Sequence, residues 1–211
     1  GDEPQRSAKT KRSQLFRNDN GKFVDISSGS GACPDTLLTA RNVGVFDYDA
    51  DGLLDLFVVE DKFTRAPRSV LLRNEGALKF RDVTKEAGLP EDIFGLGLAV
   101  ADVNDDARPD FFVGHSNRFF LSAPGNRYRE ATELAPIFKH EPVDGEDWPC
   151  GVAFGDLNRD GLPDLVVSAH AARARNRVFL NEGMQGRAPR FREITKECGL
   201  GEIIPAKCAH V

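Results

Sequence analysis

The chain has 211 residues and a formal net charge of −5, from 28 lysines and arginines against 33 aspartates and glutamates. Its apolar fraction of 40% is high enough to build a hydrophobic core, which argues against a wholly disordered chain. The sequence has no uncharged apolar run of about 18 residues, as a membrane span would need, and no dense basic stripe, as a nucleic-acid surface would need. We therefore expect a soluble folded protein. Because the sequence lacks a starting Met and stops in an apolar, strand-like stretch, we expect it to be an excerpt of a longer protein.

The N-terminal residues 1–13 lack the apolar core of a secretory signal and are expected to be disordered. The next segment, Gln14 to Ser27, reads QLFRNDNGKFVDIS, a hairpin pattern that returns at residues 68–89, 117–134 and 176–200. Its second strand mixes an aromatic residue with charges, which predicts a solvent-facing outer edge of a sheet.

The clearest internal repeat runs from Val45 to Val59 and returns from Val100 to Gly114 and from Phe154 to Ser168, at separations of 55 and 54 residues. Each copy has an apolar approach strand, an acidic loop and an apolar exit strand, and a hairpin completes the period. Four short strands in a period of about 54 residues are typical of a β-propeller blade. The alternative is a tandem array of unrelated small β units.

The predicted fold is therefore all-β, a propeller of four-stranded blades of which about three and a half are present. Residues 14–40 would form the outer hairpin of a preceding blade. Residues 41–95 and 96–149 would form the next two blades, and residues 150–211 a further blade together with the start of another. Three and a half blades cannot close a ring, so we expect the remaining blades of a parent chain as partners.

The three acidic loops repeat oxygen-bearing side chains at positions 1, 3, 5 and 9, and position 7 can add a backbone carbonyl. The predicted ligands are Asp47, Asp49, Asp51, Leu53 and Asp55 in loop one; Asp102, Asn104, Asp106, Arg108 and Asp110 in loop two; and Asp156, Asn158, Asp160, Leu162 and Asp164 in loop three. Removing their ten carboxylates would change the net charge from −5 to +5, so the acidity of the chain is largely local to these loops. Crowded carboxylates persist mainly where a cation compensates them, and hard oxygen ligands without Cys or His favour calcium. We predict up to three Ca²⁺ ions.

An EF-hand is excluded, because position 12 is Val58, Val113 and Val167 instead of a bidentate Glu, and because the flanking segments are strand-like. Position 6, where a left-handed turn is expected, is glycine in loops one and three but Ala107 in loop two. That alanine should weaken site two about tenfold. Loop one has one more carboxylate than loop three, so the predicted order of affinity is one, then three, then two.

Asp47-x-Asp49-x-Asp51-Gly52-x-x-Asp55 and its two copies, each between apolar strands, resemble the FG-GAP/VCBS repeats of integrin-like propellers. The hairpin segment LRNEGALKFRDVT, with the Gly88-Leu89 pair after it, is similar to the variant found in proteins of the ASPIC/UnbV and cartilage acidic protein type. The resemblance covers residues 14–211. It implies a seven-bladed propeller, extracellular or secreted placement, and structural calcium in the loops between the first two strands of each blade.

These observations favour a non-enzymatic module that binds a protein or glycan ligand or serves in adhesion, with no nucleic-acid partner. The alternatives are a polysaccharide lyase or hydrolase on a propeller frame, and a lectin. An enzyme could draw only on four histidines without a partner at a diagnostic spacing, namely His115, His140, His170 and His210. A lectin could use Trp148 or Tyr128 as a sugar platform. The four cysteines, Cys33, Cys150, Cys198 and Cys208, leave open both reduced thiols and disulfides, of which Cys198 to Cys208 is the easiest closure.

Overall fold

The computed structural model describes residues 13–34, 39–62, 68–140, 148–170 and 176–200. Residues 1–12 and 201–211, which include most of the N-terminal segment, Cys208 and His210, lie outside this description. None of the described helices is long and apolar enough to cross a membrane. No disulfide joins the described cysteines, Cys33, Cys150 and Cys198.

The prediction of an all-β fold with four-stranded blades is confirmed. Three sheets each contain four antiparallel strands in simple chain order, and a two-stranded hairpin precedes them. The hairpin is β1 (Phe16–Asp19) and β2 (Lys22–Asp25), and the first blade is β3 (Ala40–Phe46), β4 (Asp55–Glu60), β5 (Val70–Asn74) and β6 (Phe80–Asp82). The second blade is β7 (Gly95–Ala101), β8 (Asp110–His115), β9 (Arg118–Ala123) and β10 (Arg127–Glu130), and the third is β11 (Trp148–Gly155), β12 (Asp164–His170), β13 (Arg177–Gln185) and β14 (Ala188–Glu193). A 3₁₀ turn (Thr132–Leu134) and the short helix α1 (Ala135–Phe138) separate the second and third blades.

The cores lie between the blades. In exit strand β8, Phe111 and Val113 point into a cluster shared with the first blade, whereas Phe112 points into a cluster shared with the third. Successive side chains of a strand point to opposite faces, so a strand that is apolar on both faces must be covered on both sides. The continuous apolar character of the exit strands therefore reflects their position between stacked sheets.

The outer strands are less exposed than their charges predict. β6, β10 and β14 are edge strands of their sheets, as expected. However, Tyr128 in β10 and Phe191 in β14 are both buried, because segments between blades cover part of these strands. Tyr128 accordingly packs in the core, and its hydroxyl donates to the carbonyl of Pro109 at 3.1 Å.

Each approach strand begins several residues earlier than its apolar pattern suggests, with a bulge near its start. The pairing with the exit strand shifts at the same point in all three blades, between Ala40 and Asn42, Gly95 and Gly97, and Pro149 and Gly151. A bulge re-aims the side chains beyond it and increases the twist of the strand. Because the bulge recurs at the equivalent position of every approach strand, we infer that it has the same role in each blade, which is to fit that blade against its neighbour.

Candidate metal centre

The first aspartate of every acidic loop organises the backbone of that loop. The Oδ1 atom of Asp47 accepts from the N–H of Asp51 at 3.1 Å, and its Oδ2 atom accepts from the N–H of Gly52 at 2.8 Å. Asp102 and Asp156 make the same pair of hydrogen bonds in loops two and three. The aspartate at position 5 then accepts from the N–H of position 7, which is Leu53, Arg108 or Leu162. The spacing seen in sequence therefore corresponds to one recurring loop conformation.

The aspartate at position 9 is the first residue of the exit strand and is completely buried in each blade. Asp164, for example, is 0% exposed; its Oδ2 atom accepts from the N–H of Leu157 at 2.9 Å and its Oδ1 atom from the N–H of Asn181 at 2.8 Å. Asp55 and Asp110 repeat this arrangement. One carboxylate thus ties the start of the acidic loop to the third strand of its blade.

Burial shifts the pKa of the aspartate at position 9 in loops one and two. Burial raises the pKa of Asp55 above its ordinary value, although N–H donors from Asn74 and Tyr48 oppose the change. Burial raises the pKa of Asp110 to about 7, against donors from Ser122 and Val103, and the negative charges of Asp106 and Asp102 add to the rise. A cation placed in the loop would favour the ionised form.

Two residues of each loop adopt the left-handed backbone conformation. Position 6 has φ of +85° at Gly52, +62° at Ala107 and +89° at Gly161. The prediction of a left-handed turn at position 6 is confirmed, including at the alanine. Position 4 is also left-handed in all three loops, at Ala50, Asp105 and Arg159, which the sequence pattern did not indicate because none of these residues is glycine.

Loop one brings three of its predicted ligands together. Carboxylate oxygens of Asp47, Asp49 and Asp55 all lie within 4.8 Å of one another. The side chain of Asp49 is only 3% exposed, and its Oδ1 atom is buried without a hydrogen-bond partner among the described residues. The fourth carboxylate, Asp51, turns instead toward Arg73.

Arg73, on the third strand of the first blade, is a residue that sequence reasoning missed. Its Nε atom lies 2.7 Å from Oδ2 of Asp49, and one of its terminal nitrogens lies 2.8 Å from Oδ2 of Asp51. The strand pairings place Leu121 and Leu180 at the equivalent positions of the other two blades. Only loop one has an aspartate at position 3, so it has one more negative charge than loops two and three. The positive charge of Arg73 compensates that additional charge. The available signal was a charged residue directly after the apolar run Val70–Leu72 of β5.

Loops two and three hold their polar side chains differently. The amide nitrogens of Asn104 and Asn158 donate to Asp106 at 3.3 Å and to Asp160 at 2.8 Å, linking positions 3 and 5. Position 3 is asparagine in both loops, so within the part of the chain that the structure describes they have no trio of carboxylates like that of loop one. In loop two, Arg108 also forms an ion pair with Asp106 at 3.3 Å.

Two of the histidines considered for catalysis, His115 and His170, lie at the ends of exit strands β8 and β12, opposite the acidic loops. His115 ends β8, and together with His140 and Trp148 it lines a cavity there. Burial and the nearby Lys62 lower the pKa of His115 to about 4, so it is neutral at physiological pH. The side chain of His170 lies outside the description, as does His210.

Comparison with known proteins places the acidic loops in a repeat family. Residues 47–113 match the FG-GAP-like repeat, and residues 151–187 match the FG-GAP repeat. Similar proteins include cartilage acidic protein 1 of Xenopus tropicalis (30% identical over 185 residues, 82% of this chain and 27% of the relative) and of Mus musculus (25% over 196 residues, 86% and 29%). Cartilage acidic protein 1 of Homo sapiens is 24% identical over 197 residues, 86% of this chain and 28% of the relative. The chain spans less than a third of the length of these relatives, and the predicted resemblance to FG-GAP repeats of this type is confirmed.

Proposed function

We propose that this chain, built from FG-GAP repeats, is a calcium-stabilised, non-enzymatic binding module of a longer extracellular protein. The observation that carries the calcium proposal is the buried Oδ1 atom of Asp49, which has no hydrogen-bond partner among the described residues and lies within the convergent trio of Asp47, Asp49 and Asp55. A buried charged oxygen without a partner is costly, and a cation in the trio would remove that cost.

The donor set suits a hard divalent cation. Each oxygen of the position 9 aspartate accepts one N–H and keeps a lone pair that could face a metal. Side-chain oxygens from positions 1, 3, 5 and 9, with the carbonyl at position 7, approach the six to eight oxygens that calcium accepts. Ligands without nitrogen or sulfur favour calcium or magnesium over zinc and copper, and the irregular geometry of such loops favours calcium.

Arg73 changes the expected order of affinity. Loop one loses the advantage of its fourth carboxylate, since Arg73 pairs with Asp49 and Asp51. Loop two has Arg108 beside Asp106 and a left-handed alanine, and both weaken a cation site. We therefore expect loops one and three to bind calcium similarly and loop two to bind it most weakly.

Calorimetric titration of calcium, with parallel melting curves, tests the proposal. We expect up to three binding events with dissociation constants on the order of 10⁻⁴ to 10⁻³ M, and a melting temperature that calcium raises. Asp49→Ala should remove one event, whereas Asp49→Asn, which installs the residue found in loops two and three, should retain it.

Arg73→Leu is the matched control, because leucine occupies the equivalent strand position in the other blades. Removing this positive charge should strengthen calcium binding at loop one while leaving every proposed ligand in place. The calcium proposal is wrong if chelation leaves the melting curve unchanged and the Asp49→Ala variant titrates like the unmodified protein.

An extracellular setting fits the proposed calcium sites. Sites with dissociation constants of about 10⁻⁴ to 10⁻³ M are typical of extracellular modules, where calcium is abundant. An adhesive or ligand-binding role fits a stack of rigid blades with variable loops at their ends. A catalytic role has less support, because the loop carboxylates are assigned to metal and the sequence sets no acid or nucleophile at a diagnostic spacing from the histidines.

A further inference from the structure

The β1–β2 hairpin has the same internal contacts as the third and fourth strands of a complete blade. The N–H of Leu15 donates to the Oγ atom of Ser27 at 2.8 Å. At the equivalent place in the first blade, the N–H of Leu71 donates to the Oγ1 atom of Thr84 at 2.9 Å. The hairpin therefore has the conformation of the outer half of a blade.

The hairpin also meets the first blade in the way that the first blade meets the second. The N–H of Phe80, in the fourth strand of the first blade, donates to the carbonyl of Ser30 at 2.7 Å. The N–H of Tyr128, in the fourth strand of the second blade, donates to the carbonyl of Ala87 at 2.7 Å. Ser30 and Ala87 lie at equivalent positions of the segments that follow their hairpins. The interface between blades thus continues to the hairpin.

Residues of β1 are exposed where their equivalents in the complete blades are buried. Phe16 is 48% exposed. The residues at the same position of the three blades are at most 1% exposed, namely Leu72, Phe120 and Phe179. Asn18 is likewise exposed, whereas Asn74 and Asn181 are buried. In the complete blades the exit strand pairs with this third strand, but among the described residues β1 pairs only with β2. The open edge of β1 therefore lies where an exit strand would pair.

An apolar groove of about 390 Å³ lies between the hairpin and the first blade. Its apolar lining consists of Leu15, Ala32, Ala40, Val43, Val45, Leu56 and Val58. Val43 and Val45 are exposed, whereas their equivalents in the second blade, Leu98 and Val100, pack against the cluster shared with the first blade. The side chains of two further strands, added to the hairpin as in a complete blade, would fill this groove.

Arg17 in β1 indicates which kind of acidic loop those two strands would carry. The run Leu-Phe-Arg-Asn at residues 15–18 matches Leu-Leu-Arg-Asn at residues 71–74, so Arg17 is equivalent to Arg73. Arg73 contacts Asp49, the aspartate at position 3 of loop one. The other two blades have leucine at this strand position and asparagine at position 3. The chain thus combines arginine with aspartate and leucine with asparagine.

The present partner of Arg17 does not prevent such a contact. Arg17 forms an ion pair with Asp19 at 2.6 Å, and both side chains are exposed. Exposed ion pairs contribute little to stability, so this pair can be exchanged at small cost. In the first blade the acid equivalent to Asp19 is Glu75, which pairs with Arg81 and leaves Arg73 to the acidic loop.

We propose that β1 and the groove bind an approach–loop–exit unit, which is a pair of antiparallel strands joined by an acidic loop, with aspartate at position 3 of that loop. Its exit strand pairs with β1, its apolar side chains fill the groove, and its position 3 carboxylate contacts Arg17. The inference rests on the proposal that the chain is a module of a longer protein, because the three acidic loops of this sequence already belong to blades of their own. The occupant is a segment of that longer protein.

The first blade supplies a unit for the experiment. An additional copy of residues 40–60, called the added unit, is placed directly before Gly1 of the full chain. Residues 1–15 then connect the added unit to β1, a longer connection than residues 61–69, which join β4 to β5. A matched control has the same residues of the added unit in shuffled order.

Hydrogen exchange of the backbone N–H of Asn18, measured in chelator, reports docking. The equivalent N–H, that of Asn74, donates to the position 9 aspartate Asp55 at 2.7 Å. The added unit should therefore slow exchange at Asn18 at least about tenfold, and the shuffled unit should leave it unchanged. The melting temperature should rise with the added unit alone.

Two substitutions test the choice of aspartate. Asp49→Asn in the added unit installs the position 3 residue of loops two and three, and should reduce the protection of Asn18 about threefold. Arg17→Leu installs the strand residue of the second and third blades. In that background the aspartate and asparagine forms of the added unit should protect Asn18 equally, because the charge that distinguishes them is gone.

Three outcomes would overturn the inference. Equal exchange at Asn18 with the ordered and shuffled units would exclude docking at β1. A preference for aspartate that survives Arg17→Leu would exclude the contact with Arg17. Slow exchange in the unmodified chain that depends on protein concentration would make a second molecule of this chain the occupant. Failure of the calcium proposal is read separately, by calorimetry of the unmodified chain, since docking is measured in chelator.

Discussion

Backbone strain at position 6 distinguishes loop two from loops one and three. Each loop needs a left-handed residue at position 6, and loops one and three use glycine, which adopts that conformation without a steric penalty. Loop two uses Ala107 at φ +62°, where the Cβ atom crowds the following carbonyl. The cost falls on the folded state whether or not a cation is present.

Ala107→Gly should therefore stabilise the protein. Relief of about 1–2 kcal/mol of strain is partly offset by the greater freedom of glycine in the unfolded chain, which leaves a gain of about 0.5–1 kcal/mol. In a chain of this size, that corresponds to a rise in melting temperature of about 1–4 °C, measured by calorimetry in chelator.

Ala40→Gly supplies the control, because Ala40 is exposed in strand β3 and does not adopt a positive φ. Glycine there should lower stability by about 0.5–1 kcal/mol. If both substitutions lower the melting temperature, strain at Ala107 is not what limits loop two.

Only part of the residue-scale picture could be read from the sequence. The left-handed turn at position 6 was predictable, since Gly52 and Gly161 mark it and the repeat transfers it to Ala107. Position 4 was not, because Ala50, Asp105 and Arg159 share no chemical signature. Arg73 was also missed, since its contact with Asp49 depends on strand pairing 24 positions along the chain, which a local pattern does not report.

At the scale of the element, the buried aspartate at the start of each exit strand acts as a clamp. Asp164 joins the backbone of loop three to that of β13 through two hydrogen bonds, a partly buried one from Leu157 and a buried one from Asn181. Losing the carboxylate would leave its N–H donors unpaired, and each unpaired buried N–H lowers the stability of the fold by about 1–3 kcal/mol. The role of a clamp is separate from that of a calcium ligand.

Asp164→Ala should destabilise the protein by about 2–4 kcal/mol even in chelator, because it leaves the buried N–H group of Asn181 and the partly buried N–H group of Leu157 without their acceptor. Asp160→Ala in the same loop should cost less than about 1 kcal/mol under those conditions, because Asp160 is exposed and water can replace its carboxylate. Denaturant unfolding of both variants measures the difference. Equal losses would show that position 9 has no structural role apart from the metal.

The elements themselves were largely predictable because the same pattern returns three times. Repetition fixes the period, the strand order and the apolar exit strands more firmly than any single segment could. The bulges near the start of β3, β7 and β11 were not foreseen, because glycine, which often marks a bulge, stands at the register shift in β7 and β11 but not in β3. Burial of Tyr128 and Phe191 in outer strands escaped prediction because it depends on packing against segments distant in the sequence.

At the scale of the whole molecule, neighbouring blades are joined by close contacts of their backbones. The carbonyl of Val103 accepts from the side-chain amide of Asn181 at 2.9 Å, which joins the second and third blades across 78 positions of the chain. The backbones of β7 and β11 also lie close together at Gly97, where an added Cβ atom would be only 2.1 Å from the carbonyl oxygen of Cys150. No side chain fits in that space, so this approach of the two backbones requires glycine.

Gly97→Ala should therefore push β7 and β11 apart, because the obstructing atom belongs to the backbone and cannot rotate away. Overpacking of this kind costs about 1–3 kcal/mol, or about 2–12 °C in melting temperature. Fluorescence of Trp148, which begins β11, should change with it. Gly155→Ala is the matched substitution in β11 and should be nearly neutral, since a Cβ atom there would meet nothing within 4 Å and the φ of Gly155 is not positive. A neutral Gly97→Ala would mean that the two blades can separate at little cost, and the stack would then behave as independent sheets.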